Sequence, residues 1–264
     1  ARLVQALLDS LTQARDAEEF QASWRRVAGQ FGTLFVSDDS VDALKLAVLQ
    51  MAVFGRLVEP TSSTSATHEL VDSLTDHWRA RSPRRVALSV VAETDRRHTL
   101  PESWSWLHFG FVAETRLGKM LDAAKNKGEL KPYLRNTNVQ WDKFELVDLK
   151  ELRLEASELG EYAVKAGDLL ICEAGEPGRS AVWRDAGREM YFQKALHRAR
   201  PLCGISADYL KICLQVDAAT GELSRLFTGA TIKHLTGEKL ERYAVPVPPP
   251  SEQHRIVAKV TELL

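Results

Sequence analysis

The sequence predicts an α+β fold: a mixed α/β domain flanked on both sides by long α-helices that form an antiparallel helical pair or bundle. Apolar residues recur at helical spacing up to about residue 80 and again after Pro250. Between these regions short apolar runs separated by Gly and Pro replace the helical period, as expected for strands and turns. The predicted division is therefore helices and a linker over 1–98, a mixed domain over 99–248 and the start of a further helix over 249–264.

The N-terminal region is predicted to be helical, with a break before each new helix. A cluster of N-cap residues at 37–40 begins the second helix, and the polar stretch 61–67 is a linker. A third, short helix follows over about 70–78. The first helix is predicted over 1–31, where one apolar stripe is formed by Leu3, Val4, Leu7, Leu8 and Leu11.

The mixed domain shows its clearest strand signal at 169–172, an apolar run of strand length. Residues 180–183 are predicted to pair with it across a Gly-Glu-Pro-Gly turn. The period of 208–216 does not decide between helix and strand. After the prolines, Ser251 is the predicted N-cap of a helix with an unfinished apolar stripe, for which the N-terminal helix is the natural partner, in this chain or in another.

Composition excludes several classes of protein. No apolar run approaches the roughly 20 residues that span a bilayer, and the N-terminus lacks the pattern of a secretory signal. Cys172, Cys203 and Cys213 are odd in number and not spaced as CxxC, so we expect buried free thiols in a reducing cytoplasm. The net charge of −1 shows no overall basic excess, although a neutral total is compatible with one basic face.

Catalytic motifs are missing from the sequence. It contains no GxGxxG, GxxxxGK[ST], HExxH or GxSxG pattern, and its seven histidines lack metal-ligand spacing. We therefore expect neither catalytic residues nor a cofactor nor a metal. One nuclease-like pattern occurs, Asp122 followed by Glu129-Leu130-Lys131, but a solvated charged loop explains it better.

The charge distribution is more informative than the total. Between Arg116 and Arg135 there are six basic and two acidic residues, whereas seven acidic residues follow between 142 and 161. Such a domain can present one face to phosphates while staying neutral, although ordinary solvated surface has the same composition. In the adjoining segment 134–141, Arg suits guanine and Asn or Gln suit adenine, but these residue types also form turns.

Several segments together resemble the specificity subunit of type I restriction-modification systems. The family pattern of Gly-x-Thr, a Leu-containing stretch, Val-Pro-x-Pro-Pro and Glu-Gln-x-x-Ile-Val is matched within 229–263, with Pro250 where the family often has Leu. Residues 44–60, 100–110, 132–140 and 167–183 are similar to further landmarks in the same order. The matched positions in the C-terminal pattern are Gly229, Thr231, Leu240, Val245, Pro246, Pro248, Pro249, Glu252, Gln253, Ile256 and Val257.

The resemblance implies a non-catalytic chain that reads double-stranded DNA through one target recognition domain, 99–248. Its implied partners are the methyltransferase subunit, the restriction subunit through the complex, and a second copy through the terminal helices. Two alternatives stay open: the recognition portion of a fused restriction-methylation enzyme, and a helical interaction module without a DNA role.

Two sets of residues are the candidates for DNA contact. The candidates for phosphate are Lys119, Lys125, Lys127, Lys131 and Arg179, with Tyr133 lying among them in the sequence. The candidates for base edges are Arg135, Asn136, Asn138, Gln140, Gln193 and Lys194.

Overall fold

A computed structural model describes residues 2–61, 63–122 and 124–264, so Ala1 of the predicted first helix and Ser62 of the predicted linker lie outside it. The predicted α+β class is confirmed. The helices are α1 Arg2–Thr12, α2 Ala17–Ala28, α3 Phe31–Leu34, α4 Asp38–Val53, α5 Ser65–Arg81, α6 Phe109–Val112, α7 Ala156–Tyr162, α8 Ala207–Ala219, α9 Gly237–Glu241 and α10 Pro250–Leu263. The strands are β1 Ser105–His108, β2 Ala113–Leu117, β3 Glu129–Leu134, β4 Lys150–Leu154, β5 Leu169–Cys172, β6 Ser180–Val182, β7 Tyr191–Phe192, β8 Leu196–Pro201 and β9 Ala244–Val247.

The helix starts follow from local capping. The predicted second helix is confirmed as α4, where Ser37 and Ser40 form a capping box. A single first helix over 1–31 is wrong, because the chain leaves the helix after α1 and α2 begins only at Ala17. The N-cap of α2 is Asp16, whose side chain accepts a hydrogen bond from Glu19 N at 2.8 Å. The undecided segment 208–216 is helical and lies within α8.

The strands form three sheets. In the four-stranded sheet, of order β2-β8-β5-β6, every pair is antiparallel, and the predicted pairing of 169–172 with the segment after the turn is confirmed. A three-stranded sheet has the order β4-β3-β7. The two-stranded sheet joins β1 to β9, with Ser105 opposite Val247, so the first and last strands of the mixed region lie side by side.

The four-stranded sheet is the middle layer of the molecule. Leu169 and Ile171 on β5 belong to the large core that α8 and the terminal helices share. Leu170 and Cys172, which point the opposite way as alternate residues of a strand do, pack with Phe192 in a second core. The sheet is therefore covered by helices on one face and by the smaller sheet on the other, which leaves its ends for loops.

The C-terminal helix differs from expectation in two respects. Its N-cap is Pro249, and Ser251 lies in its first turn, so the predicted cap at Ser251 is wrong. Within this chain α10 packs on α4 and α8, whereas α1 packs on α2 and α4. Its stripe, which includes the buried Ile256, therefore packs mainly on α4 and α8 within this chain, and pairing with an N-terminal helix of another chain stays a prediction.

Two fully buried polar side chains at the start of α10 join it to the mixed region. Glu252 accepts hydrogen bonds from Trp104 Nε1 at 2.8 Å and from Thr61 N at 2.9 Å. Gln253 accepts from Ser206 N at 2.8 Å and donates to Pro248 O at 2.9 Å. The Glu-Gln pair thus connects the linker, the entry to β1 and the start of α8, and we call it the Glu-Gln joint.

The cysteines are partly as expected. Cys172 and Cys213 are buried free thiols, and burial raises the pKa of Cys172 to about 11. Burial of Cys203 is a wrong prediction: it is exposed in a turn with a φ of 49°. Among the helices described here, none combines the length and the apolar character that crossing a membrane requires.

The stability of the fold is expected to fall in mild acid because of His98. Its ring lies between Phe54, at 4.4 Å between centroids, and Trp106, at 5.0 Å. Burial, followed by the nearby Arg97 charge, lowers its pKa from 6.5 to about 4. The neutral ring is favoured by folding, so this contribution is complete above pH 6.5 and is lost as the pH falls towards 4.

Urea unfolding at pH 7 and pH 4.5 measures this effect. Replacement of His98 by phenylalanine, which cannot be protonated, should reduce the difference in unfolding free energy between the two pH values by about 2 kcal/mol. The exposed His254 supplies the control, His254→Phe, for which the pH dependence should match that of the unmodified chain. Equal pH dependence of the His98 variant and this control would contradict the assignment.

Candidate nucleic-acid interface

The loops at one end of the four-stranded sheet form the candidate interface. β2 and β5 end there and β8 begins there, since β8 is antiparallel to both. Asn136 Nδ2 donates to Ala174 O at 3.3 Å, and Leu235 N donates to Glu173 O at 2.8 Å, which attaches two further segments. We call this surface the loop edge; it consists of segments 118–128 (with Ala123 outside the described residues), 135–141, 173–179, 193–195 and 228–236.

Close backbone contact holds two of these segments together. Lys194 N donates to Lys119 O at 2.9 Å, and Gly118 N donates to Leu196 O at 3.0 Å. A Cβ atom on Gly118 would lie 2.3 Å from Gln193 O, so a side chain there would push the segments apart. The loop edge is therefore a packed surface rather than a set of independent loops.

The loop edge carries a basic excess that the whole chain lacks. Its five segments contain seven basic and three acidic residues, against a net charge of −1 for the chain. Carboxylates from outside, Glu158 and Asp148, pair with two of the seven. In the part of the chain that the structure describes, Lys127, Lys194 and Lys233 are exposed and form no ion pair, so they are free to bind an anion.

The candidates for phosphate contact fall into two groups. Lys125, with 84% of its side chain exposed and Asp122 Oδ2 at 3.4 Å, and the exposed Lys127 project from the loop edge. Lys119 is only 16% exposed and is paired with Glu158, whose pKa it lowers through their hydrogen bond. A phosphate would have to displace that carboxylate, which makes Lys119 a weaker candidate.

The two remaining phosphate candidates are also engaged internally. Lys131 lies on β3, outside the loop edge, and its Nζ is 3.1 Å from Glu189 and 3.3 Å from Glu129. Arg179 donates to Glu176 at 2.9 Å and to Asn136 O at 3.0 Å. Arg179 thereby ties the segment 173–179 to the segment 135–141, a structural role that the sequence does not reveal.

The candidates for base edges divide in the same way. Gln193 is half-buried and Lys194 exposed, and the Gln140 amide donates to Thr137 O at 3.1 Å. The Arg135 guanidinium donates to Asp148 at 2.7 Å. The structure brings Asn136, Gln140, Gln193 and Lys194 together on the loop edge with the exposed lysines, which is the arrangement that sequence reading requires.

Asn138 and Tyr133 have structural positions instead. Asn138 is buried; its Oδ1 accepts from Arg135 N at 2.9 Å, and its Nδ2 donates to Glu145 O at 2.8 Å. Tyr133 is buried in a small core with Leu152. Both side chains are buried in this conformation, which makes them weaker candidates for DNA contact than the exposed residues of the loop edge. An Asn in a turn is a typical scaffold residue, and periodicity cannot tell the two roles apart.

Two residues of the loop edge were missed by sequence reasoning. Lys233 is exposed, and Trp141 lies at the surface with its Nε1 donating to Glu176 Oε1 at 3.0 Å. Lys233 lies two residues after Thr231 of the matched Gly-x-Thr pattern, and this position is the sequence signal that could identify it. Isolated aromatic and basic residues give no sequence signal of their own.

The nuclease-like pattern does not form a site. Asp122 accepts hydrogen bonds from the backbone amides of its own turn, at 3.1 Å from Ala124 N and 3.2 Å from Lys125 N. Across the described ranges, no group of three or more His, Cys, Asp or Glu side chains is placed to hold a metal ion. The geometry instead defines a binding surface: a rigid α+β scaffold with cations and amide side chains at one loop-bearing end, typical of a protein that binds nucleic acid.

Comparison with known proteins agrees with this class. The family model described as "Type I restriction modification DNA specificity domain" matches residues 101–264. The chain is 25% identical over 276 residues to the type I restriction enzyme EcoEI specificity subunit of Escherichia coli, covering 99% of this chain and 46% of that protein. It is 24% identical to the EcoAI specificity subunit of the same organism, again covering 46% of it.

Two solved structures are also similar. A chain from a study of complex assembly and conformational transition of the type I R-M system matches 75% of this chain and 50% of its own length, with a TM-score of 0.49 and 19% identity. The HsdS subunit from Thermoanaerobacter tengcongensis matches 90% of this chain and 50% of its own, with a TM-score of 0.47 and 17% identity.

The chain belongs to the family of type I restriction modification DNA specificity domains. This confirms the resemblance found in the sequence, and it agrees with the expectation of a non-catalytic chain, since both curated relatives are specificity subunits. The chain spans about half the length of the curated relatives it matches.

Proposed function

We propose that this chain recognises a specific double-stranded DNA sequence as a specificity subunit, or half of one, in a type I restriction-modification complex. In this role it directs adenine methylation and cleavage that partner subunits carry out. The observation that carries the proposal is the loop edge: seven basic residues against three acidic ones, with amide side chains beside them, in a chain with a net charge of −1. Membership of the DNA specificity family supports the same role.

We propose different roles for the mixed region and for the helices that flank it. The target recognition domain, 99–248, presents the loop edge to DNA, and the helices of 1–98 and 249–264 serve assembly. The partners we propose are the methyltransferase subunit, the restriction subunit through the complex, and a second copy through the terminal helices, in the cytoplasm. The antiparallel pairing of β1 with β9 supports the domain bounds, because it closes the mixed region just inside them.

Binding selection on a randomised duplex pool tests the proposal. Fluorescence anisotropy of the chain, with and without the methyltransferase subunit, should show weak preference for one half-site alone and a stronger preference with the subunit. Sequence-independent binding in both conditions would contradict the proposal.

The phosphate contacts are expected to appear in the salt dependence of binding. Replacing Lys125 and Lys127 together with glutamine should weaken binding to selected and unselected duplexes alike and reduce the slope of log K against log salt by about 2, since each phosphate contact contributes about 1. The measurement is anisotropy over a range of KCl concentrations.

A matched control removes a cation from the helical region. Arg79 on α5 is 68% exposed and pairs only loosely with Asp76, at 3.4 Å, so Arg79→Gln should leave the slope unchanged. An equal change of slope in both variants would mean that the loop edge has no special part in phosphate binding.

A further inference from the structure

A narrow hairpin, residues 228–234, projects from the loop edge. Thr228 and His234 donate backbone hydrogen bonds to each other's carbonyl groups, both at 2.9 Å. The base of the hairpin is attached to the end of β5, because Leu235 N donates to Glu173 O at 2.8 Å and His234 Nδ1 lies 3.2 Å from Glu173 Oε1. The hairpin is therefore held at a fixed position relative to the loops that carry the other candidate contacts.

The conformation of its tip is determined by the sequence. Gly229 has a φ of 92°, and a Cβ atom there would lie 2.2 Å from Ile232 O, so only glycine allows the chain to close in this way. Lys233 Nζ donates to Gly229 O at 3.0 Å across the tip. The five tip residues, 229–233, are all exposed, and the first two are small.

Ile232 presents an apolar side chain at this tip. It is 63% exposed, and it lines an open cavity of about 720 Å³ together with Phe227 and Pro177. A single exposed apolar residue is ordinary on a protein surface. Its position is not: it lies next to Lys233, on a projection from the loop edge, whose segments carry seven basic and three acidic residues.

We propose that the 228–234 hairpin enters the major groove of DNA and that Ile232 contacts the methyl group of a thymine, with Lys233 on the adjacent phosphate. The proposal rests on the proposed function and names one element of its specificity. The hairpin is closed by a single bridge, Thr228 to His234, and is no wider than the two-stranded ribbon that the major groove admits. In that groove the thymine C5-methyl is the apolar feature that separates A·T from G·C pairs. Small tip residues allow the close approach, and the lysine supplies the charge that phosphate binding requires.

Uracil substitution tests the methyl contact directly. In the duplex selected by the chain with the methyltransferase subunit, each thymine is replaced in turn by uracil, which removes only the methyl group. We expect one position at which the unmodified chain loses about fourfold in affinity, the value of one buried methyl-sized group. The Ile232→Ser variant should bind the thymine and uracil duplexes equally, and Ile232→Val should retain most of the preference.

The outcomes separate this inference from the proposed function. Absence of any sequence preference in the unmodified chain overturns both. If the unmodified chain selects a sequence but no uracil substitution lowers its affinity, the hairpin contact alone is overturned. The same holds if uracil lowers the affinity of the Ile232→Ser variant as much as that of the unmodified chain. The hairpin contact is also overturned if the Ile232→Ser variant binds DNA more weakly only when the methyltransferase subunit is present. That result would mean that the hairpin tip contacts the subunit and not DNA.

Discussion

Glu252→Ala is expected to lower the free energy of unfolding by about 3 kcal/mol, the largest effect of any single polar substitution proposed for this chain. The carboxylate is fully buried and accepts from Trp104 Nε1 at 2.8 Å and from Thr61 N at 2.9 Å. Alanine leaves both donors buried without an acceptor, and each such donor costs about 1–3 kcal/mol. Urea unfolding measures the loss directly.

Two variants on the same helix serve as comparisons. Glu252→Gln keeps one acceptor oxygen but turns an NH₂ group towards a donor, so its loss should be intermediate. Glu262 is 66% exposed and paired with Lys259, and Glu262→Ala should change stability by less than about 0.5 kcal/mol. If Glu252→Ala proves as stable as Glu262→Ala, the Glu-Gln joint does not hold α10 to the mixed region.

Asn138→Ala is expected to be the most damaging change within the candidate interface, with a loss of about 2–3 kcal/mol. The side chain accepts from Arg135 N at 2.9 Å and donates to Glu145 O at 2.8 Å and Asp148 O at 3.3 Å. These bonds close the loop between β3 and β4, so their removal should loosen it as a unit. In DNA binding, preference should then fall at several base pairs and not at one.

Hydrogen exchange separates this structural effect from a lost base contact. Glu145 N donates to Asn138 O at 2.8 Å, and protection of that amide should decrease in Asn138→Ala. Gln140→Ala is the matched control, because its amide makes only one local bond, to Thr137 O at 3.1 Å, and exchange at Glu145 should be unaffected. Unchanged exchange combined with loss of preference at one base pair would show that Asn138 reads DNA after all.

Much of the fold was predictable because its signals are local. The Ser-rich cap of α4 and the Gly-Glu-Pro-Gly turn between β5 and β6 each identify an element from a few neighbouring residues. α8 gave no clear period because it is buried on most of its surface, at Leu210, Ile212, Cys213 and Leu214 among others, so apolar residues occupy nearly every face.

The site was only partly predictable, for a physical reason. Sequence identifies residue types that suit phosphates or bases, but their use depends on neighbours that tertiary structure supplies. Lys119 and Arg135 are paired with Glu158 and Asp148, which lie 39 and 13 residues further along the chain. The exposed Lys233 became a candidate only when the structure placed its loop beside the ends of β2 and β5.

The pairing of β1 with β9 has a consequence for how such a chain can change. With Ser105 opposite Val247, the mixed region leaves the helices and returns to them at neighbouring points. A segment whose ends meet can be exchanged as a cassette without moving the structure that it leaves. A different mixed segment with the same closing strands would keep Trp104 and Glu252 within reach of each other, so the DNA preference that we propose could change while the flanking helices stay the same.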